Sequence, residues 1–335
     1  MEKLVSSWYN DKQKPLPESY IFPPQTRPGN HIIPKSNTIP VIDLSKTLGH
    51  ARTDIIHQIL QASQDFGFFQ VVNHGVPENL FKDTMDVFKE FFEMPAEDKA
   101  SLYSDDPLKR CRLYTSSVNF DREEVHLWRD NLRHDCHPLE ECIKYWPENP
   151  TRYREIVAAY SIEAKKLGSR ILELISQGLG IEPGYFEGKL SESLLISVNH
   201  YPPCPEPSLT LGLPKHCDPN LITILHQGDV KGLQVFKNGE WIGVEPLHNA
   251  LVVNIGCQLQ IISNNKFKSA EHRAVTNSKV ARTTAAFFIG PSPDCIIEPA
   301  VIFISPLYRA FQYKEFLLNY VSVTGFSLEN FKLHA

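Results

Sequence analysis

The sequence predicts an α+β protein, mainly β, whose second half is a double-sheet jelly roll braced by helices from the first half. Two observations carry that expectation. Up to about residue 180 the apolar residues recur at helical spacing, and beyond it they fall into short β-branched or apolar runs with turn residues between them. Eight such runs follow one another: Leu194–His200, Leu221–His226, Leu233–Phe236, Trp241–Glu245, Leu251–Ile255, Arg273–Thr276, Thr284–Ile289 and Cys295–Glu298. That number and spacing match a fold that encloses a cavity between two sheets.

Taken in order, residues 1–38 hold Pro15, Pro17, Pro23, Pro24, Pro28 and Pro34, too many for a regular element, and read as an extended arm on the main body. A short strand is expected at Pro40–Leu44. From Thr53 to Phe66 the residues Ile55, Ile56, Ile59, Leu60, Ala62 and Phe66 repeat at helical spacing, and Gly67 is placed to stop the helix. Phe68–Asn73 reads as a strand. A helix opening at Pro77 buries Leu80, Phe81, Phe88, Phe91 and Phe92. The run Asp121-Arg122-Glu123-Glu124 reads as a solvated helix start. Residues 150–180 predict the longest helix, with Tyr153, Ile156, Val157, Tyr160, Leu167, Ile171, Leu174 and Ile175 on one face and Gly178 and Gly180 near its end. The chain therefore divides into an arm and helical support region, 1–180, and a jelly-roll region, 181–335, expected to form one compact catalytic unit.

Composition narrows the partners. A formal net charge of −5 over 335 residues argues against nucleic acid or an anionic membrane. No run of 18 apolar residues is present, and the start Met1-Glu2-Lys3-Leu4-Val5-Ser6-Ser7-Trp8 lacks the apolar core of a secretory signal. Seven cysteines, an odd count with no Cys-x-x-Cys pair, argue against a disulfide framework or a structural zinc site. A cytoplasmic monomer acting on a small molecule is expected.

The chemistry is concentrated in Lys215-His216-Cys217-Asp218-Pro219 and a distant His272. One residue separates His216 from Asp218, so on an extended strand both side chains leave the same face and reach one metal ion. Two histidines and a carboxylate on one face of an octahedron leave three positions open, as in non-haem Fe(II) oxygenases. In Arg282-x-Thr284 the same period puts a guanidinium and a hydroxyl on one face, where together they grip a carboxylate, and Tyr201 adds a phenol donor to that anion. Asn199, two residues before Tyr201, either contacts the bound group or satisfies backbone. His74, His134, His137 and His226 read as structural histidines.

In their order, Asn199-His200-Tyr201-Pro202-Pro203, His216-x-Asp218, His272 and Arg282-x-Thr284 resemble the plant 2-oxoglutarate and Fe(II)-dependent dioxygenases, a family that includes anthocyanidin synthase, flavonol synthase and the gibberellin oxidases. The resemblance runs from about Ile39 to Phe331 and includes Ile39-Pro40-Val41-Ile42-Asp43-Leu44 and Phe66-Gly67-Phe68-Phe69-Gln70-Val71-Val72-Asn73-His74-Gly75. It implies a double-stranded β-helix core and Fe(II) at His216, Asp218 and His272. It also implies 2-oxoglutarate held through its far carboxylate by Arg282, Thr284, Tyr201 and Asn199, with O2 as oxidant and ascorbate as reductant. Four positions depart from the family pattern: Thr284 stands for serine, Cys217 for a frequent threonine, Cys257 for aspartate and His226 for leucine.

The implied reaction is hydroxylation, or alternatively desaturation or epoxidation, of a small plant metabolite or hormone such as a phenolic acid, flavonoid or alkaloid. Leu102-Tyr103-Ser104-Asp105-Asp106-Pro107 and Trp128-Arg129-Asp130 are similar to salicylate 5-hydroxylases, and the N-terminal arm to hyoscyamine 6β-hydroxylases. An aromatic acid wants a cation in the pocket and an alkaloid an anion or aromatic ring; Arg110, Arg112 and Glu123 are the candidates. Two alternatives stand beside this reading: an Fe(II) oxidase that does not use 2-oxoglutarate, and a catalytically silent metabolite-binding protein on the same fold.

Overall fold

Val157, Tyr160, Leu167, Ile171, Leu174 and Ile175 form one apolar stripe, fully buried against the back of a sheet. Gly168 lies within it because a Cβ there would sit 2.0 Å from Ile289 Cδ1, so only glycine lets the helix come this close to the strand. The structure, a computed structural model, describes residues 4–9, 15–30, 39–47, 51–117, 120–322 and 328–333. Met1, Pro34 and much of the predicted arm lie outside these residues.

The first half runs α1 (Val5–Trp8), β1 (Val41–Asp43), α2 (Ala51–Asp65), β2 (Phe68–Val72), α3 (Glu78–Glu93), β3 (Cys111–Thr115), β4 (Asp130–Asp135), α4 (Leu139–Cys142) and α5 (Tyr153–Leu179). The second runs β5 (Ser193–Tyr201), β6 (Leu213–His216), β7 (Ile222–His226), β8 (Leu233–Lys237), β9 (Glu240–Gly243), β10 (Leu251–Ile255), α6 (Cys257–Ile262), β11 (His272–Ala274), β12 (Arg282–Gly290), β13 (Ile296–Ile297), β14 (Phe311–Gln312) and α7 (Tyr313–Ser322). Each of the eight predicted runs contains or overlaps a strand.

A major sheet has the order β1-β2-β10-β7-β12-β5-β4-β3, and a minor sheet the order β6-β11-β8-β9. Apart from the parallel pair β1/β2, the pairings in both are antiparallel, the arrangement of a jelly-roll core. Strand alternation divides the major sheet into two faces. Ile224, Phe287, Ile289 and Val253 turn to the helices, while Leu225, Ala286 and Val252 turn to the minor sheet. Between the sheets, Phe68, Val252, Leu233, Val235 and Val244 fill one end, and the other end stays hollow.

Four strands of the first 180 residues join the major sheet, so the N-terminal region supplies cavity wall as well as helical support. The predicted helix start at Asp121–Glu124 is corrected to a turn: Glu123 is partly buried and takes hydrogen bonds from the Ser116 and Ser117 hydroxyls and a 2.8 Å contact with His126 Nδ1, which hold it in place of a helical ladder. The N-terminal arm is pinned to β4. Val5 and Ser6 backbone N–H groups donate to the buried Asp130 carboxylate at 2.9 and 2.8 Å, and Trp8, Tyr9 and Tyr20 pack around Trp128. Among the described residues no helix is long and apolar enough to cross a membrane.

On the helix side of the sheet His134 and His226 are buried and His200 part-buried, all three neutral. Burial holds the pKa of His134 and His200 down to about 4 and that of His226 to about 3. His134 Nε2 meets Tyr153 Oη at 2.9 Å, His200 stacks on Phe92, and His226 stacks on Phe81. Below pH 6.5 the unfolded chain takes up protons that the folded one refuses, so the stability these groups allow above pH 6.5 is lost as pH falls towards 4. Each contributes a slope of up to about 1.4 kcal/mol per pH unit. The urea midpoint is expected to fall between pH 7 and 5, and His226→Leu to flatten that slope by about one proton. Urea titrations of both proteins at pH 7, 6 and 5 measure it, and equal slopes would contradict the account.

Candidate metal and co-substrate site

At the hollow end, strand register brings distant residues together. His272 on β11 pairs directly with His216 on β6. Asp218 lies two residues beyond the end of β6, in a loop, which corrects the expectation that both share a strand face. The loop is held because the Cys257 N–H, at the start of α6, donates to the Asp218 carbonyl at 2.8 Å. One ligand atom from each of His216, Asp218 and His272 lies within 4.8 Å of the others. Asp218 Oδ1 is 3.5 Å from His216 Nε2 and 3.7 Å from His272 Nε2.

The protonation of both rings follows from their partners. His216 Nδ1 is 2.8 Å from the Pro214 carbonyl and His272 Nδ1 3.1 Å from the Ala270 carbonyl. A carbonyl only accepts, so each Nδ1 carries the hydrogen and each Nε2 presents its lone pair to the centre of the cluster. Asp218 is oriented through its other oxygen: Thr223 Oγ1 donates to Oδ2 at 2.5 Å and Asn254 Nδ2 at 2.7 Å. Thr223 and Asn254 are themselves a cross-strand pair on the inner face of β7 and β10. Burial alone would raise the Asp218 carboxyl pKa, but His272, His216 and Thr223 outweigh it and hold it well below the usual range. His272 is lowered to about 4 by burial and by His216. The carboxylate and two outward lone pairs are the donor set that an Fe(II) ion takes, and the residues present fit one.

Two chambers share this cluster. A narrow one of about 60 Å³ is lined by Asn199, Tyr201, Arg282 and Thr284, and a wide one of about 370 Å³ opens on the other side; Leu213, His216, Asp218 and Phe288 border both. The sheet register explains the narrow one, since Arg282 faces Tyr201 and Thr284 faces Asn199 across β12 and β5. Gly212 is packed on Tyr201, with a notional Cβ only 2.4 Å from the ring. Arg282 is 3 % exposed, donates from Nε to the Val230 carbonyl at 2.9 Å, and has its guanidinium 5.4 Å from the Tyr201 ring centre. No carboxylate among the described residues pairs with it, so a buried cation faces the chamber uncompensated. Asn199 Oδ1 accepts from the side chains Arg129 Nη1 and Asn131 Nδ2, both at 2.8 Å, instead of from backbone, and the residue borders the chamber.

The remaining candidates fall elsewhere. Arg110 lies outside the cavity beside Asp135 and Glu141, and Glu123 is tied to Ser116, Ser117 and His126. Cys217 turns from the cluster to the Ser269 carbonyl at 3.3 Å. Thr223, Asn254, Arg129 and Arg133 were not read from the sequence as site residues. A lone polar residue in an otherwise apolar strand, as Asn254 is in Leu251–Ile255, was the available signal.

Comparison with known proteins gives the same picture. Residues 192–291 match the 2OG-Fe(II) oxygenase superfamily and residues 39–150 the N-terminal region of a non-haem dioxygenase in morphine synthesis. Hyoscyamine 6-dioxygenase of Hyoscyamus niger is 42% identical, over 96% of this chain and 95% of that protein. Flavanone 3-dioxygenase 2 of Oryza sativa subsp. japonica is 45% identical over 94% and 92%. The crystal structure of JOX2 in complex with 2OG, Fe and JA superposes with a TM-score of 0.84 at 35% identity, covering 95% of this chain and 93% of that one.

Removing one of the two donors to Asp218 Oδ2 leaves the geometry of the strands intact but frees the carboxylate to turn. Asn254→Ala is expected to weaken Fe(II) affinity about 10- to 100-fold, measured by anaerobic competition with a chromogenic chelator. Unchanged affinity would show that this hydrogen bond does not orient the ligand.

Proposed function

This chain belongs to the 2OG-Fe(II) oxygenase superfamily, and on that premise we propose that His216, Asp218 and His272 hold its Fe(II) while Arg282, Thr284, Tyr201 and Asn199 seat 2-oxoglutarate. The protein is a 2-oxoglutarate- and Fe(II)-dependent dioxygenase, an oxidoreductase. One observation supports the residue assignment above the rest: the three ligand atoms lie where a narrow chamber ending in an uncompensated arginine meets a wide chamber. When bound, the metal supplies the oxygen chemistry that couples decarboxylation of 2-oxoglutarate to succinate with oxidation of the substrate.

The chain's own residues bind, orient and exclude water. Arg282 stays charged at any working pH and offers a planar fork to the far carboxylate of the co-substrate; the Thr284 hydroxyl and the Tyr201 phenol complete that seat. Thr284 keeps the oxygen of the family's serine, and its added methyl is accommodated on the strand. Phe68, Leu225, Leu233 and Ala286 wall the chamber with apolar surface, which strengthens the charge-assisted contacts by keeping water out. His216 and His272 are held as the tautomer that a metal ligand requires by the Pro214 and Ala270 carbonyls.

The substrate proposed is a small plant specialised metabolite or hormone, a phenolic acid, flavonoid or alkaloid, taken in the wide chamber and hydroxylated there, with O2 as oxidant and ascorbate keeping the iron ferrous. Relatives named for an alkaloid and for a flavanone support that range. Regions 1–180 and 181–335 are proposed to work as one catalytic unit in a cytoplasmic monomer, with no nucleic-acid or membrane partner.

The test is an oxygen-free titration of the Fe(II) protein with 2-oxoglutarate, following the visible charge-transfer band of the chelate. His216→Ala and Asp218→Ala are expected to abolish the band. Since the loop contact at Asp218 is made by its backbone carbonyl, the fold survives the second change. Arg282→Ala should keep the band but weaken 2-oxoglutarate binding by about 2 to 5 kcal/mol, the range for removing one side of a buried charge pair. A full band in Asp218→Ala would overturn the ligand assignment.

A further inference from the structure

Resting on the metal and co-substrate assignment above, we propose that the wide chamber takes an organic anion, an apolar body bearing a carboxylate, and that Arg133 binds that carboxylate. Arg133 projects into the chamber from β4, partly buried, and has neither a hydrogen-bond nor an ion-pair partner among the described residues. Directly opposite it on β3 is Arg112. Arg112 is 5 % exposed, its guanidinium lies 4.9 Å from the Tyr114 ring centre, and its Nη1 has no hydrogen-bond partner. Like charges set directly across an antiparallel pair repel. The acids that act on Arg112, Asp106 and Asp105, are on an exposed loop and form no ion pair with it.

The rest of the chamber's charge points the same way. The other guanidinium lining it, Arg129, is committed to the Ser116 carbonyl and Asn199 Oδ1 at 2.8 Å each, which leaves Arg133 as the arginine lining the chamber without a partner among the described residues. Among the described residues the one carboxylate lining the wide chamber is Asp218, which the metal claims on the assignment above. With iron and 2-oxoglutarate in place no carboxylate among the described lining residues is left to pair with a protonated amine, which finds only the rings of Tyr114, Phe288, Tyr313 and Tyr320, whereas a carboxylate meets a free guanidinium. Leu195, Leu213, Phe288, Pro291, Pro293 and Leu317 give the apolar surface for the body of such a molecule. The free guanidinium therefore orders the substrate range by charge, favouring acids over tertiary-amine alkaloids.

The experiment uses the full chain loaded anaerobically with Fe(II) and 2-oxoglutarate, whose charge-transfer band shifts when a substrate enters beside the metal. The probes are cinnamate and salicylate, their methyl esters, and hyoscyamine as a tertiary amine. At least one acid is expected to shift the band at concentrations about tenfold or more below its ester, and hyoscyamine to leave it unchanged. Arg133→Gln should weaken the acid's effect about 30-fold or more while leaving the ester's effect and 2-oxoglutarate affinity within about twofold, and Arg133→Lys should restore part of the loss. The band itself reports that each variant is folded and loaded. A wild-type protein without the band would overturn the metal assignment and this proposal with it. An intact band that responds to hyoscyamine or the esters rather than the acids, or that responds to the acids equally in Arg133→Gln, would overturn this proposal alone.

Discussion

The Asp218 carboxylate is the point at which the two sheets are tied together chemically. One oxygen faces His216 and His272, both on the minor sheet, and the other accepts from Thr223 and Asn254 on the major sheet. Of this carboxylate, 3 % exposed, one oxygen is satisfied by Thr223 and Asn254 and the other is turned to the face where the cation would sit. The placing of Thr223 and Asn254 as a cross-strand pair answers that demand. The fold surrounds one buried carboxylate with groups that fix its orientation.

The same reasoning explains why the interior of the sandwich is divided. One end is closed by Phe68, Val252, Leu233 and Val235, whose burial stabilises the sheet packing. Towards β12 and β5 the inner face becomes polar, with Arg282, Thr284, Tyr201 and Asn199 in two cross-strand pairs. A buried guanidinium without a counter-ion is expensive in an isolated protein, and its persistence there means the energetic account closes only with an anion in place. On the proposed assignment, stability is given up locally for a seat already oriented before 2-oxoglutarate arrives.

Much of this was legible because strand alternation is a strict rule. Arg282-x-Thr284 was read as two side chains on one face, and β12 places them so. The pair His216 and Asp218 was reached by the same rule although Asp218 sits beyond the strand, where a loop braced by Cys257 does what the strand was expected to do. What escaped were β3 and β4, Cys111–Thr115 and Asp130–Asp135, because Arg112, Asp130, Asn131 and Arg133 break any apolar pattern. Those residues are stranded by pairing with β5, a tertiary cause that no local window contains. β6, Leu213–His216, carries Pro214 and sits at the edge of the minor sheet, the position where proline is tolerated and where a sequence signal is weakest.

The anchoring of the N-terminal arm has a practical side. Asp130 immediately precedes Asn131 on the strand that also presents Arg133, and its buried carboxylate is met by the amides of Val5 and Ser6. Anything that draws those two amides away, whether an appended tag or a proteolytic nick, takes two donors from a buried anion and slackens the wall of the reaction chamber more than a hundred positions along the polypeptide. Altered selectivity in such a preparation would be a mechanical fault transmitted through one strand, with every group at the metal still in place.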